Sequence, residues 1–210
     1  MSLHKENEFR LALETLAVSF CLEAMSERQF DQLAKHYAML VHWNRRINLT
    51  RIIEPEEAAR LHYAESLFGA RFIGDATSLL DIGSGAGFPG VPLAVARPDV
   101  RVTALEANKK KSLFLKEVKD ELKLENFTVA TARFESFDWS GFDLLTSRAL
   151  DRAETILPAV VEQITGRQRL MLYCVPELLT AFEQFSGSTL AVEAHPIPQS
   201  ESRLIAIFSR

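Results

Sequence analysis

A glycine-rich segment behind a short apolar run is the part of this sequence best suited to chemistry. Four glycines fall within eight positions, from Gly83 to Gly90, directly after the apolar run that ends at Ile82. Glycine costs backbone entropy, so such a cluster marks main chain that needs a positive φ or that a ligand approaches too closely for a Cβ atom. An acidic residue, Glu106, closes the next apolar run. Together these features predict a nucleotide-like ligand held between bare main chain and a carboxylate.

The glycine segment fits two registers. Read from Gly85, it satisfies G-x-G-x-x-G, with Glu106 about 20 residues downstream, as in NAD(P)-binding Rossmann oxidoreductases. Read from Asp81, it is Asp-x-Gly-x-Gly-x-Gly, which is typical of S-adenosylmethionine-dependent methyltransferases. We favour the second register because pyrophosphate binding requires the first glycine directly after the strand, and the first register leaves Gly83 and Ser84 as a spacer.

The helices and strands that must position this segment can be predicted from the spacing of apolar residues, which changes near residue 75. Residues 1–74 repeat apolar side chains such as Phe9, Leu13 and Leu16 at helical intervals, which predicts a helical N-terminal extension of the same domain on the substrate side. Residues 75–210 alternate short apolar runs with helical segments such as 112–122 and 177–185, the pattern of βαβ units in a parallel sheet. The predicted strands are 78–82, 100–105, 127–130, 142–146, 169–174, 190–193 and 204–208. The expected fold class is therefore α/β, with a Rossmann-like sheet of seven strands.

Composition excludes several functions. The 210 residues are 47% hydrophobic, enough for one substantial core, and the net charge of -4 argues against indiscriminate nucleic-acid binding. Cys21 and Cys174 lie far apart without metal-ligand spacing, so we expect no metal site and a reducing, cytoplasmic location. No run approaches the roughly 20 apolar residues that a membrane span needs, so we expect no membrane contact.

Four further motifs, together with the glycine segment, give the sequence a family resemblance. The glycine segment continues as Phe-Pro-Gly-Val-Pro-Leu-Ala, and it is accompanied by the motifs Trp43-Asn44-x-x-Ile47-Asn48-Leu49-Thr50, His62-x-x-Glu65, Ser147-Arg148-Ala149 and Glu201-Ser202-Arg203-Leu204. This combination resembles the RsmG family, also called GidB. Members of that family methylate N7 of a guanine in 16S ribosomal RNA with S-adenosylmethionine, on a class I methyltransferase fold.

The resemblance implies a set of cofactor residues. The glycine turn and Phe88 would shape the cofactor site, Glu106 would hold the ribose, Phe134 and Glu135 would flank the adenine, and Arg148 would close the site. The complete expected set is Asp81, Gly83, Ser84, Gly85, Gly87, Phe88, Glu106, Phe134, Glu135 and Arg148. Two positions depart from the family pattern, because Glu65 replaces an aspartate and Tyr173-Cys174-Val175-Pro176 replaces a usual Lys-Gly. A divergent methyltransferase with another substrate therefore remains open.

Arg148 is the expected catalytic residue. Methyl transfer from a sulfonium depends mainly on alignment and electrostatics, and guanine N7 has a ready lone pair that needs no general base. The sequence contains no Asn/Asp-Pro-Pro-aromatic motif and no cysteine after a proline, which amino and carbon methylation respectively would use. A guanidinium at the end of the 142–146 strand could bind guanine O6 or a phosphate. The alternative is an arginine paired with Glu135 or Asp151.

Cationic residues in the helical half are expected to contact RNA. Arg45, Arg46, Arg51 and His62 lie close together in sequence, although nearby glutamates at 54, 56 and 57 partly cancel their charge. The expected partner is small-subunit ribosomal RNA or the 30S subunit, with no obligate protein partner evident. The sequence leaves open which of these two is the substrate.

Overall fold

The computed structural model describes residues 3–22, 24–148, 160, 164, 166–180 and 190–210. Three features predicted above lie wholly or partly outside these ranges. They are Ala149 of the Ser-Arg-Ala motif, Asp151, and residues 181–185 of the predicted helix 177–185, whose first four residues are helical.

The described residues form one sheet of seven strands in the order β3-β2-β1-β4-β5-β7-β6. The strands are β1 (Ser78–Ile82), β2 (Arg101–Leu105), β3 (Phe127–Ala130), β4 (Leu144–Arg148), β5 (Arg169–Cys174), β6 (Ala191–Pro196) and β7 (Leu204–Ser209). All seven predicted strands are present. Three of them have the predicted bounds, and β4 begins and ends two residues later than expected.

The parallel pairing predicted from the βαβ pattern does not extend to one edge of the sheet. Strands β1 to β5 pair in parallel, but β7 is antiparallel to both of its neighbours, β5 and β6. The physical reason lies in the connections, because a parallel pair needs a crossover of a dozen or more residues. Only the short stretch 197–203 separates β6 from β7, so these two strands form an antiparallel pair.

The N-terminal half is helical, as predicted. Its elements are α1 (Leu3–Thr15), α2 (Ala17–Phe20), α3 (Glu27–Asn44), α4 (Pro55–Ala58), a π-helix (Ala59–Ala64), α5 (Glu65–Phe68) and a 3₁₀ turn (Gly69–Phe72). The start of α3 is fixed by Ser26, whose main-chain N–H and hydroxyl both donate to Gln29 Oε1, at 2.8 and 2.9 Å. The Gln29 amide group in turn donates to the Val95 carbonyl at 2.7 Å, which ties α3 to the sheet half.

Two helices follow the first two strands and cover one face of the sheet. They are α6 (Gly90–Ala96) and α7 (Lys109–Leu122). Helix α7 begins three residues before the predicted start because Asn108 caps it, accepting from the N–H groups of Lys110 at 2.9 Å and Lys111 at 3.3 Å.

The helical half and one face of the sheet share a single hydrophobic core. Phe9 of α1 stacks on Tyr37 of α3 at 4.4 Å between ring centroids, and both belong to the same cluster as Leu79 of β1 and Phe114 of α7. A second cluster covers the other face of the sheet. The division of the chain into a helical extension, residues 1–74, and a sheet-forming part, residues 75–210, stays a prediction. None of the helices in the described ranges is long and apolar enough to cross a bilayer.

Candidate active site

Asp81 organises the glycine turn from beneath. It is fully buried in β1, and its Oδ2 accepts from the Ser84 hydroxyl and from the Gly90 N–H at 3.0 Å. A Cβ atom at position 90 would lie 2.6 Å from Asp81 Oδ2, so this glycine is required for packing. Burial raises the pKa of Asp81 to about 7. Its other oxygen, Oδ1, has no hydrogen-bond partner among the described residues, which is the state expected of a group that a ligand completes.

The glycines of the turn have different tasks. Gly83, Gly85 and Gly87 all have positive φ, at 71°, 58° and 94°. A Cβ atom at Gly87 would lie 2.7 Å from Val91 Cγ2, so Gly87 permits close packing of the turn on α6. A Cβ atom at Gly85 would meet only the Gly83 carbonyl, at 3.7 Å, within the 4 Å range. The space beside Gly85 is therefore open, and a ligand can approach the main chain there.

This contrast predicts opposite outcomes for two alanine variants. Gly87→Ala is expected to lower the free energy of unfolding by about 3 kcal/mol, because the new methyl overlaps Val91 and the backbone is left-handed. Gly85→Ala should cost only about 1 kcal/mol but weaken S-adenosylmethionine binding at least tenfold, since its methyl fills the open space. Chemical denaturation and calorimetry separate the two effects. Wild-type affinity in Gly85→Ala would show that the cofactor lies elsewhere.

The carboxylate of Glu106 faces this open main chain. Glu106 follows β2, is only 8% exposed, and accepts from the Gly85 N–H at 2.9 Å through Oε2 and from the Asn108 N–H at 2.7 Å through Oε1. Each carboxylate oxygen can accept more than one hydrogen bond, so both retain capacity for hydroxyl donors. The structure thus brings together the two features that the sequence singled out, Gly85 and Glu106.

The remaining predicted cofactor residues lie at the same edge with other contacts. The 3₁₀ turn Phe134–Ser136 follows β3, and there the Phe134 ring is buried against Trp139 at 5.8 Å while Glu135 is exposed. The Phe88 ring packs inward on His62, at 4.7 Å and 17° between planes. Contact of Phe134 and Glu135 with adenine stays a prediction.

Arg148 ends β4 and is directed at the helical half. Its side chain is 15% exposed. Nη1 donates to the His62 carbonyl at 3.2 Å and to Ser66 Oγ at 3.3 Å, and Nη2 donates to the Leu61 carbonyl and to Glu65 Oε2 at 3.1 Å. The guanidinium therefore fastens the π-helix and α5 to the carboxyl end of β4.

The observed ion-pair partner of Arg148 is Glu65, a residue that was not among the predicted partners. The ion pair is with Glu65 rather than Glu135, and Asp151 lies outside the described residues. The sequence did not reveal this pair because the two residues come from different halves of the chain. The guanidinium already makes four N–H···O contacts to the helical half, which leaves it few donors for hydrogen bonds to a guanine. Its catalytic role therefore stays a prediction.

His62 joins the helical half to the glycine turn. Besides stacking on Phe88, its Nε2 lies 2.8 Å from Thr50 Oγ1. Burial, with the nearby positive charge of Arg148, lowers the pKa of His62 to about 3. His62 is therefore neutral at pH 7, and its predicted RNA contact, which stays a prediction, would not be an ion pair.

The sequence analysis missed a second histidine, His36. It is fully buried on α3, where Nε2 lies 3.2 Å from the Ala86 carbonyl of the glycine turn and Nδ1 lies 2.9 Å from the Tyr63 hydroxyl. Burial lowers the pKa of His36 to about 3, so the neutral ring donates from Nε2 and accepts from Tyr63. Its position within the apolar face of Leu33, Tyr37 and Leu40 was the available signal.

The predicted RNA-contacting arginines lie on a fastened loop. Asn44 accepts from the N–H groups of Leu49 and Thr50, at 2.8 and 3.0 Å, and its amide donates to the Thr50 carbonyl at 2.9 Å. Arg45, Arg46 and Arg51 are all exposed. Because Thr50 also contacts His62, this loop is connected to the glycine turn through the π-helix.

Tyr173 occupies one position of the departure from the family pattern. This buried residue of β5 donates from its hydroxyl to the Ser66 carbonyl at 2.7 Å. A Cβ atom at Gly69 would lie 1.8 Å from that hydroxyl oxygen, so the tyrosine fits only against a glycine. Tyr173 thus adds a second attachment of α5 to the sheet, beside that of Arg148.

The strand order and this site define a class of protein. A parallel sheet with an antiparallel β7 inserted beside β5, a glycine turn after β1 and a carboxylate after β2 form the class I methyltransferase fold. Among solved structures, cofactor-bound Rv0187 from MTB has a TM-score of 0.62 at 16% identity, and the match covers 85% of this chain and 88% of that chain. The expected fold class is confirmed. Within the described residues, no three potential ligand side chains are grouped to hold a metal.

The family follows from sequence comparison. The family model for rRNA small subunit methyltransferase G (GidB) matches residues 29–187. The ribosomal RNA small subunit methyltransferase G of Roseiflexus sp. (strain RS-1) is 35% identical over 199 residues, covering 89% of this chain and 85% of its own. That of Pseudomonas putida (strain F1) is 43% identical over 132 residues, covering 62% and 61%. This chain belongs to the rRNA small subunit methyltransferase G family, which confirms the resemblance and the methyltransferase register over the oxidoreductase one.

Proposed function

We propose that this methyltransferase transfers a methyl group from S-adenosylmethionine to N7 of a guanine in small-subunit ribosomal RNA. The observation that carries the proposal is the open main chain at Gly85 facing the buried carboxylate of Glu106. The names of the relatives supply the substrate class, since they are called ribosomal RNA small subunit methyltransferases. Because ribosomal RNA is found in the cytoplasm, the proposal includes a cytoplasmic location.

The residues present fit the cofactor. Glu106 would accept hydrogen bonds from the two ribose hydroxyls, and the main chain of Gly83 and Gly85 would lie against the methionine half. The unpartnered Oδ1 of Asp81 supplies a buried acceptor for the cofactor's ammonium group or for a water bound to it. When bound, the cofactor supplies an electrophilic methyl group on a sulfonium.

Guanine N7 suits the chemistry that these side chains can perform. The two buried carboxylates beside the glycine turn, Asp81 and Glu106, both accept main-chain N–H groups, so both help to shape the turn. N7 carries a free lone pair, and its methylation requires no proton removal from the ring nitrogen. The protein then contributes by binding, by orienting the base and by excluding water.

The exposed arginines give the RNA a surface beside this site. Arg45, Arg46 and Arg51 lie on the loop that Asn44 fastens, and Thr50 connects that loop to His62 and the glycine turn. Guanidinium groups bind phosphates through paired N–H donors. We infer that this loop binds the RNA backbone, either in free RNA or in the 30S subunit.

The proposal predicts a specific product. Wild-type protein with S-adenosylmethionine carrying a labelled methyl group is expected to label small-subunit RNA, supplied free or as 30S subunits, and nucleoside mass spectrometry should find 7-methylguanosine. The large subunit serves as the control substrate. Label in another nucleoside, or only in another RNA, would instead favour the divergent methyltransferase, and absence of label from both forms of the small-subunit RNA would contradict the proposal.

A further inference from the structure

Two arginines pair with one buried carboxylate at the carboxyl edge of the sheet, and a third, Arg60, acts on its charge. Glu65 is 1% exposed, and its two oxygens lie 3.1 Å from Arg148 Nη2 and 2.7 Å from Arg203 Nη2. Burial raises the pKa of Glu65, while the positive charges of Arg148, Arg203 and Arg60 act against that rise. Taken alone, Glu65 and these three arginines carry an excess of positive charge, while Glu8, Glu56 and Glu57 line a cavity together with Arg60.

The excess charge belongs to the two arginines with free donors. Arg148 directs four contacts at the helical half, as described above, whereas the side chain of Arg203 is 33% exposed. Arg203 has one further side-chain contact, from Nε to Ser200 Oγ at 3.3 Å. Arg60 donates to the Gln199 carbonyl at 3.5 Å, and among the described residues no carboxylate lies within 4 Å of its guanidinium. A guanidinium has five N–H donors, so both groups retain several.

The position of Arg203 places this charge near the methyl-transfer site. Arg203 directly precedes Leu204, which pairs with Cys174 at the end of β5, and the neighbouring Tyr173 pairs with Arg148. The connection 197–203 therefore lies at the same edge of the sheet as the glycine turn. The charges of both Arg148 and Arg203 also act on His62, whose ring stacks on Phe88.

We propose that Arg60 and Arg203 form a second phosphate-binding subsite, which binds the RNA backbone beside the methylated guanine. The inference rests on the proposed function and extends it to the β6–β7 connection, apart from the loop of Arg45, Arg46 and Arg51. Glu65, itself fixed by Arg148, forms an ion pair with Nη2 of Arg203, and apart from this pair and the Nε contact to Ser200 the guanidinium retains N–H donors. The planar guanidinium of Arg203, oriented by this ion pair, can donate two parallel hydrogen bonds to the oxygens of a phosphodiester.

Two variants test the subsite. Arg60→Gln removes a charge that makes no ion pair with a described residue, and is expected to weaken binding of small-subunit RNA about fivefold or more. The plot of log affinity against log salt should become shallower by about 0.7, the change for one phosphate contact to single-stranded RNA. Arg203→Lys keeps the charge but loses the planar guanidinium, so affinity should fall with little change in that slope. Calorimetric affinity for S-adenosylhomocysteine should stay at the wild-type value in both.

A matched control is Arg28→Gln, which removes an exposed arginine near Pro98 and Asn126, residues that precede β2 and β3 at the opposite edge of the sheet. If Arg60→Gln and Arg203→Lys, folded by thermal denaturation, bind RNA like this control at every salt concentration, the subsite is overturned. A wild type that transfers no methyl group to the small-subunit RNA would remove the proposed function. The salt dependence of RNA affinity does not depend on methyl transfer, so it would still test the subsite.

Discussion

Replacing Glu106 by alanine is expected to weaken binding of S-adenosylmethionine, and of its demethylated product, by about 100-fold or more. The carboxylate lies beside the open main chain of Gly85, and we propose that it accepts both ribose hydroxyls. A hydrogen bond to a charged group contributes roughly 1.5–3 kcal/mol, so the loss of two is worth two or more powers of ten in affinity. Isothermal titration calorimetry with S-adenosylhomocysteine measures the effect directly.

The controls separate ligand binding from folding. Glu106 also accepts the N–H groups of Gly85 and Asn108, so the alanine variant should lose about 1–2 kcal/mol of stability. Glu106→Gln keeps an acceptor without the charge and should bind with intermediate affinity. Glu125→Ala removes an exposed glutamate next to β3 and should bind like wild type. A loss of less than threefold in a folded Glu106→Ala protein would mean that the cofactor does not use this carboxylate.

The second large effect is expected for Arg148→Met, which should lower the free energy of unfolding by about 3 kcal/mol. Methionine retains the apolar stem but removes the donors to the Leu61 and His62 carbonyls and one of the two partners of Glu65. Breaking a buried ion pair leaves a charge with incomplete compensation, and each buried acceptor left unpaired adds to the cost. Urea denaturation at pH 7 measures the change.

A double-mutant cycle gives this prediction its control. Glu65→Gln removes the buried charge, so the double variant of Arg148→Met and Glu65→Gln should be more stable than the sum of the single effects indicates. Arg169→Met provides the matched comparison. That arginine starts β5 and donates to the Phe72 and Ile73 carbonyls, with only a long 3.7 Å contact to the exposed Asp75. Additive effects at Arg148 and Glu65 would show that the ion pair is not coupled in the folded state.

The sequence predicted β1, the glycine turn and the position of Glu106 well because local signals determine them. An apolar run, a glycine turn and a capped helix are contiguous in the chain, so β1 and the turn could be placed without knowledge of the rest. Glu106 could be placed because the carboxyl ends of neighbouring parallel strands meet at one edge. The start of β4 was predicted two residues too early. The carboxylate of Asp143 accepts the N–H groups of Thr77 and Ser78, so Asp143 belongs to the connection before β4 and the strand begins at Leu144.

The contacts between the two halves could not be predicted in the same way. The partner of Arg148 is Glu65 on α5, and His36 on α3 contacts the carbonyl of Ala86, so each contact depends on how the helices pack on the sheet. No local periodicity encodes that packing. His62 was a predicted RNA contact, and only burial in the fold makes it and His36 neutral at pH 7.

The close fit of Tyr173 against Gly69 has an evolutionary consequence. Any side chain at position 69 would overlap the tyrosine hydroxyl, which donates to the Ser66 carbonyl. The two positions are distant in the chain but cannot drift independently, because an ancestor must have held the glycine before it could accept the tyrosine. Homologues that carry a larger residue at position 69 should therefore carry a smaller one at position 173, and the pair should mark a distinct branch of the family.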